Sequence, residues 1–251
     1  MQREILTLLG LSLLGSVAGL VGGIIFLVKS NWARGLASRA VPFAAGVLLA
    51  VSFLDLLPEA VEEYGPGAFV VILFVFVGLF LVERFLFLLH HHNGEDEHGP
   101  KTAVPLVIFG DTIHNFLDGV AIAAAYQIAP SLGLLVALAT FLHETPHEIA
   151  DFAILLSAGW EGKKAFLANF FSALATIPGV FLTYFFAGKI EGGGGFLLAL
   201  AAGLFLYVAS TDFLPQAKHD SERSSFKNVL FLILGILAIV AVRVALPEIG
   251  R

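Results

Sequence analysis

No cysteine occurs among the 251 residues. Disulfides and thiolate metal sites are therefore excluded, and the usual redox clue to compartment is missing. Charge is scarce too. Asp, Glu, Lys and Arg make up 14% of the chain, where a soluble domain carries about 25%. The formal net charge is only −6, with no basic patch of the kind that binds nucleic acid. Apolar residues fill the space instead. They are 58% of the chain, and mean hydropathy is +0.90, against about 45–50% apolar for soluble domains. This balance describes an all-α integral membrane protein.

A helix needs about 20 apolar residues to cross a bilayer. That length predicts eight spans, at 4–28, 37–58, 66–90, 103–128, 131–158, 164–188, 195–217 and 226–247. The first, after Arg3, has a signal peptide's outline but exceeds a typical apolar core, so it reads as a retained span. Connections are short, so residues 1–251 read as a single transmembrane domain with one flexible His-rich loop at about 90–102. Lys29, Arg34, Arg39, Lys101, Lys163, Lys164, Lys218, Arg223 and Lys227 fall on one side, and Arg84 lies near it. The other side holds Arg3, Lys189, Arg243 and Arg251, with the acidic Glu59, Glu62 and Glu63. Cytoplasmic loops are the Lys- and Arg-rich ones, so both termini are expected on the extracytoplasmic side. No transit or retention signal is visible, which favours the cell membrane.

Spans two and seven repeat one pattern. Ala44, Ala45, Gly46, Leu49, Val51, Asp55, Leu57, Pro58 and Ala60 recur as Ala201, Ala202, Gly203, Leu206, Val208, Asp212, Leu214, Pro215 and Ala217, at one ungapped offset. An odd number of spans separates the copies, so they cross in opposite directions. Inverted repeats of this kind are common in transporters. The pattern predicts spans one to three and six to eight as related halves around spans four and five.

Spans four and five carry the chemistry. Residues i and i+4 of a helix lie one above the other. His114 and Asp118 form such a pair, flanked by Asp111 and Asn115; His143 with His147 and Glu144 with Glu148 form two more, with Asp151 nearby. Ionisable groups inside membrane spans are costly and usually functional. If the two polar stripes face each other, three imidazoles and several carboxylates converge as ligands for a divalent transition metal, with carboxylates enough for a second ion. Asp55 and Asp212 are further candidates along the metal path. His90, His91, His92 and His98, with Glu95, Asp96 and Glu97, could hold metal loosely in the loop, at an entropic cost. Nothing calls for an organic cofactor.

His143-Glu144-Thr145-Pro146-His147 also fits the zinc-protease pattern of two His with a general-base Glu. Leu117-Asp118-Gly119 strengthens that alternative, because intramembrane zinc proteases use such an element. Two features oppose it. Pro146 sits inside the motif and frees the Leu142 carbonyl, and the two elements stand in the reverse order. A metal sensor without transport is a third reading.

His114-Asn115-Phe116-Leu117-Asp118-Gly119 resembles the HNFxDG signature of the fourth span of ZIP (Zrt/Irt-like) metal transporters, and His143 to Glu148 resembles the HExPHE signature of their fifth. The Leu57-Pro58-Glu59-Ala60 ending of span two is similar as well. The resemblance implies an eight-helix 3+2+3 bundle, often a homodimer, that carries zinc toward the cytoplasm, with Fe²⁺, Mn²⁺ or Cd²⁺ as other cargo. It assigns a first metal to His114, Asp118, His143 and His147. A second would use Asn115, Asp118, Glu144 and Glu148, with Asp118 bridging. It implies that spans four and five slide or rock against the rest. It names no catalytic residue. Histidine and carboxylate ligands bind metal only when deprotonated, so transport should weaken in acid.

The orientation can be read directly in this cysteine-free chain. A cysteine replacing Glu62 should react with a membrane-impermeant maleimide on intact cells, and one replacing Asn93 should not. The opposite labelling pattern would invert the topology.

Overall fold

The structure, a computed structural model, describes residues 2–91, 100–189, 192–216 and 222–245. Within them the chain is helical and no strand occurs. The first span is α1 (Gln2–Gly15), a 3₁₀ turn (Val17–Leu20) and α2 (Val21–Val28). The second is α3 (Ser30–Val51), a π-helical turn (Ser52–Leu56) and α4 (Leu57–Tyr64). Then follow α5 (Gly67–His91), α6 (Pro100–Ile128) and α7 (Pro130–Ser157). The sixth span divides into α8 (Gly162–Ala173) and α9 (Thr176–Phe186). The seventh is α10 (Gly193–Val208), a second π turn (Ala209–Phe213) and α11 (Leu214–Gln216), and α12 (Glu222–Ala245) is last. His92 and the rest of the 92–99 loop lie outside the described residues, as do the side chains of His90 and His91.

Among the described residues, six helical stretches are long and apolar enough to cross a membrane: Gln2–Val28, Ser30–Tyr64, Gly67–Phe85, Gly162–Phe186, Gly193–Gln216 and Phe226–Ala245. With 29 and 28 residues, α6 and α7 have the length, but they carry the polar stripes. The chain is thus an all-helical membrane protein. Its second span begins at Ser30 rather than at 37, because a helix continues through interfacial residues such as Asn31 and Trp32 that an apolar count discards.

Burial sorts the helices into inner and outer ones. Phe69, Leu73, Phe74, Phe80 and Phe85 of α5 and Phe226, Val229, Ile233 and Leu237 of α12 are exposed. Apolar faces this broad exceed what water tolerates and suit lipid. The opposite extreme is α7, most of whose residues between Leu132 and Leu155 are buried and which packs against α1, α2, α3 and α6. In turn α6 packs against α7, α9 and α10. Outside this centre, α12 lies along α3 and α5 along α10.

Backbones touch at two places that set the position of the central pair. A Cβ at Gly22 of α2 would collide with the Thr145 carbonyl oxygen of α7, and one at Gly179 of α9 would collide with the Phe116 carbonyl oxygen of α6. Small residues let membrane helices approach this closely. The two glycines therefore clamp α6 and α7 just beside the residues of the polar stripes.

Gly22→Val and Gly179→Val should each lower stability by about 1–3 kcal/mol through overpacking. Gly10→Ala, with nothing within 4 Å of the added methyl, should be near neutral. Thermal unfolding of the purified variants measures both, and equal melting temperatures across the set would contradict the clamp.

Candidate metal centre

Helical spacing places His114 and Asp118 on one stripe of α6, and His143 and Glu144 on the facing stripe of α7. The structure brings one ligand atom from each of these four residues within 4.8 Å of the others. His114 Nε2 lies 3.1 Å from His143 Nε2, 3.1 Å from Glu144 Oε1 and 3.7 Å from Asp118 Oδ2. His143 Nε2 lies 3.3 Å from Asp118 Oδ2 and 3.6 Å from Glu144 Oε1. A tetrahedron with metal–ligand bonds of about 2.0–2.1 Å has edges of roughly 3.3–3.4 Å. The five distances straddle that value, so the hole has the size of a tetrahedral Zn²⁺ site.

The histidine is oriented for the task. A carbonyl can only accept, so His143 Nδ1–H donates to the Ala139 carbonyl at 3.0 Å. Its Nε2 lone pair is then left to face the hole, the arrangement that fixes metal-ligating imidazoles. Phe205 and Phe213 stand edge-on to the ring, at centroid distances of 5.5 and 6.3 Å, and wall it from water.

The carboxylates show what the hole lacks. Asp118, His143 and Glu144 side chains are fully buried and His114 is 11% exposed. None of the four carboxylate oxygens of Asp118 and Glu144 has a hydrogen-bond partner among the described residues. Buried anions of this kind are tolerated when paired or when they coordinate a metal. The donor set of two imidazoles and two carboxylates suits zinc and its neighbours in the first transition row.

The remaining candidates fall around this centre. His147 stacks on His114 at 5.2 Å between centroids and stands one turn from the four-residue hole. It converges with Asp111 and Asp151 in a second group of ligand atoms. Asn115 is buried and occupied: its amide nitrogen donates to the Asp111 carbonyl and carboxylate at 3.1 and 3.0 Å. Its oxygen accepts from the Ser16 hydroxyl and, at 3.4 Å, from the Thr176 hydroxyl. Glu148 is buried with both oxygens unpartnered.

Among the described residues, neither Asp55 nor Asp212 belongs to a converging group. Asp55 is buried against Arg243, 3.2 Å from its Nε. Asp212 lines a cavity of about 740 Å³ together with Glu83, Arg84, Tyr207, His114 and His147. The Tyr207 hydroxyl donates to the Glu83 carboxylate on that wall. Glu83, Ser16 and Thr176 were not legible as site residues. Glu83 alone left a signal, as an acidic residue in an otherwise apolar run.

Fold and centre together define a helical membrane protein with a candidate transition-metal site between two of its helices. The family model described as ZIP zinc transporter matches residues 90–243, and the chain belongs to that family, whose members are transporters rather than enzymes. It is similar to zinc transporter ZIP4 of Mus musculus, with 42% identity over 132 residues, covering 53% of this chain and 20% of the relative. It is similar to zinc transporter ZIP6 of Homo sapiens, with 43% identity over 122 residues, 49% of this chain and 16% of the relative. Zinc transporter ZIP10 of Homo sapiens is 37% identical over 160 residues, 58% of this chain and 19% of the relative. The matched region is thus about a fifth of the length of these curated relatives.

Zinc in the four-residue hole would neutralise its unpartnered carboxylates. At 100 times the dissociation constant, binding to the folded state alone contributes about 2.7 kcal/mol. The melting temperature should therefore rise with added zinc and fall back with chelator, and His143→Ala should abolish the response. A zinc-independent melting temperature in the parent would show that the hole does not hold metal.

Proposed function

We propose that this chain carries divalent transition metal, zinc foremost, across the cell membrane toward the cytoplasm through the α6–α7 centre. The observation that carries this reading is the tetrahedral hole of His114, Asp118, His143 and Glu144, sealed in an apolar bundle with no donor for its carboxylates. Family membership supports it, since the relatives are named zinc transporters. Fe²⁺, Mn²⁺ and Cd²⁺ fit the same donors. A second ion beside the first would draw on Asn115, Asp118, Glu144 and Glu148, with Asp118 shared. For that Asn115 must turn its oxygen from the Ser16 and Thr176 hydroxyls. His147, on the cavity side of His114, is the ligand to which the first ion can next transfer.

The 3+2+3 arrangement of one domain, with an inverted repeat, accounts for features that the apolar pattern alone leaves unrelated. The π turns Ser52–Leu56 and Ala209–Phe213 stand at the repeat offset and carry Asp55 and Asp212 at the same position. The first span breaks at Ser16, after α1, and the sixth at Leu174, after α8; Ser16 and Ala173, the last residue of α8, are 157 residues apart and bonded, the Ser16 hydroxyl donating to the Ala173 carbonyl at 2.8 Å. Gly22 and Gly179 share that offset, and the residues they clamp, Thr145 and Phe116, share the 29-residue separation of His143 from His114. One axis relating all these pairs would run between α6 and α7, through the metal centre.

Under that symmetry Asp55 and Asp212 mark opposite approaches to the centre. Asp212 borders the cavity, on the Lys- and Arg-rich side, whereas Asp55 is closed over by Arg243. An inward-facing state fits this asymmetry, and sliding or rocking of α6–α7 past the two triplets would exchange the sides in an elevator-like cycle. The chain would work in the lipid bilayer with both termini extracytoplasmic, as a homodimer in keeping with its resemblance. The protease alternative is not favoured, since Glu144 stands among the ligands rather than apart as a base.

Zinc flux into proteoliposomes decides the matter. The parent should load zinc, and the His143→Ala/His147→Ala double variant should lose at least about tenfold of the rate. Stoichiometric zinc binding with no flux in the parent would overturn transport and leave a sensor or protease.

A further inference from the structure

Beyond the four-residue hole, α6 and α7 hold a second convergence of ligand atoms, and it rests on different residues from the second site that the family resemblance implies. Asp111, His147 and Asp151 bring one ligand atom each within 4.8 Å of one another. Asp111 and His147 are each about one helical turn from a member of the first hole and Asp151 about two, on the side where α6 begins and α7 ends. That is the side of Lys101, Lys163 and Lys164.

Two independent features mark this group as a place for a cation. Asp111 is 5% exposed; one of its carboxylate oxygens accepts from Asn115, and the other, Oδ2, is buried without a partner. His147 Nδ1 is likewise buried and unpartnered. Furthermore, His147 lines the cavity that holds Glu83 and Asp212, so an ion at this group has a path away from the centre.

We propose that Asp111, His147 and Asp151 form a separate release station, onto which divalent metal passes from the His114, Asp118, His143 and Glu144 hole before leaving through the Glu83–Asp212 cavity. The inference deepens the transport reading above and rests on it. The station supplies one imidazole and two carboxylates, three protein ligands where the first hole supplies four. Three ligands leave a coordination position for water. An ion there is partly rehydrated and held more weakly, which suits release. Transfer needs no free ion in the apolar interior: His147 touches His114 on one side and belongs to the station on the other. The Asn115 amide, which holds the Asp111 carbonyl and one carboxylate oxygen, keeps that carboxylate turned toward the station.

The test uses the full chain in detergent and in proteoliposomes, with Zn²⁺ alone as probe. Asp111→Asn/Asp151→Asn should bind one zinc fewer than the parent, keeping the tight step and losing the weak one. Its flux should fall about tenfold or more, the usual effect of disturbing a metal's surroundings. The retained tight step reports that the variant is folded. Should it vanish too, single Asp151→Asn is measured the same way, and full binding and flux in that variant overturn the station. Unchanged stoichiometry and flux in the double variant overturn it as well. So does loss of the weak step in Glu148→Gln but not in the aspartate variants, which would place the second ion beside Asn115. A parent that binds zinc tightly but moves none defeats the transport reading instead, and a parent that binds none defeats both.

Discussion

Two buried carboxylates facing two imidazoles, with none of the four acid oxygens in a hydrogen bond among the described residues, constrain everything else in this molecule. Asp118 and Glu144 cannot be left as they are in an apolar interior at low cost. Either they give up their charge or a cation, an imidazolium of the facing histidines or a metal ion, neutralises them. The rest of the bundle is arranged so that the second solution is the available one: phenylalanine rings exclude water on one flank, a carbonyl turns His143 toward the hole, and glycines hold the two helices in close register. Replacing the four residues by leucines would give a more stable bundle in the sense that buried ion clusters are commonly matched or exceeded by apolar packing. On the transport reading proposed above, what stability gives up here is gained as affinity for a divalent ion.

The spans were legible in the sequence because a bilayer imposes a length and backbone hydrogen bonding imposes a helix, and both leave runs of apolar residues. The polar stripes were legible because i and i+4 share a face. Which four atoms meet was not. Spacing places His143 and His147 on one face of α7, yet Glu144 closes the hole and His147 stands a turn away. Spacing fixes the stripe; the rotation and crossing of the helices select atoms within it, and those depend on contacts such as Gly22 with Thr145 and Gly179 with Phe116. Similarly, nothing in the apolar pattern distinguished the breaks after Ser16 and Ala173 from unbroken helix, since hydrophobicity counts residues and not hydrogen-bond registers. Asn115 shows the same limit. It sits in a ligand motif, but its amide is engaged by Asp111, Ser16 and Thr176.

The irregular turns are where a structure of this kind can move. A π turn adds a residue to the helical register and weakens the local ladder, and such turns recur at functional sites. Here they occur in both copies of the repeat, and each carries an aspartate. The break at Ser16 and the one after Ala173 lie next to α6 and α7, and the Ser16 hydroxyl, with one proton to donate, is within hydrogen-bond reach of both the Ala173 carbonyl and the Asn115 amide oxygen. A displacement of the central pair must therefore disturb Ser16, whose hydroxyl ties both broken spans to the metal centre. Regular helices resist bending, whereas short 3₁₀ and π segments can change register at small cost. The two outermost helices, α5 and α12, contain neither kind of segment among their described residues. Compliance is thus confined to the spans that touch the centre or mark the approaches to it, and rigidity to those that face lipid. On the transport reading proposed above, a bundle with that division could shift its central helix pair relative to its surroundings without opening the lipid-facing shell, and an ion neutralising Asp118 and Glu144 would make the shifted pair tolerable in an apolar interior.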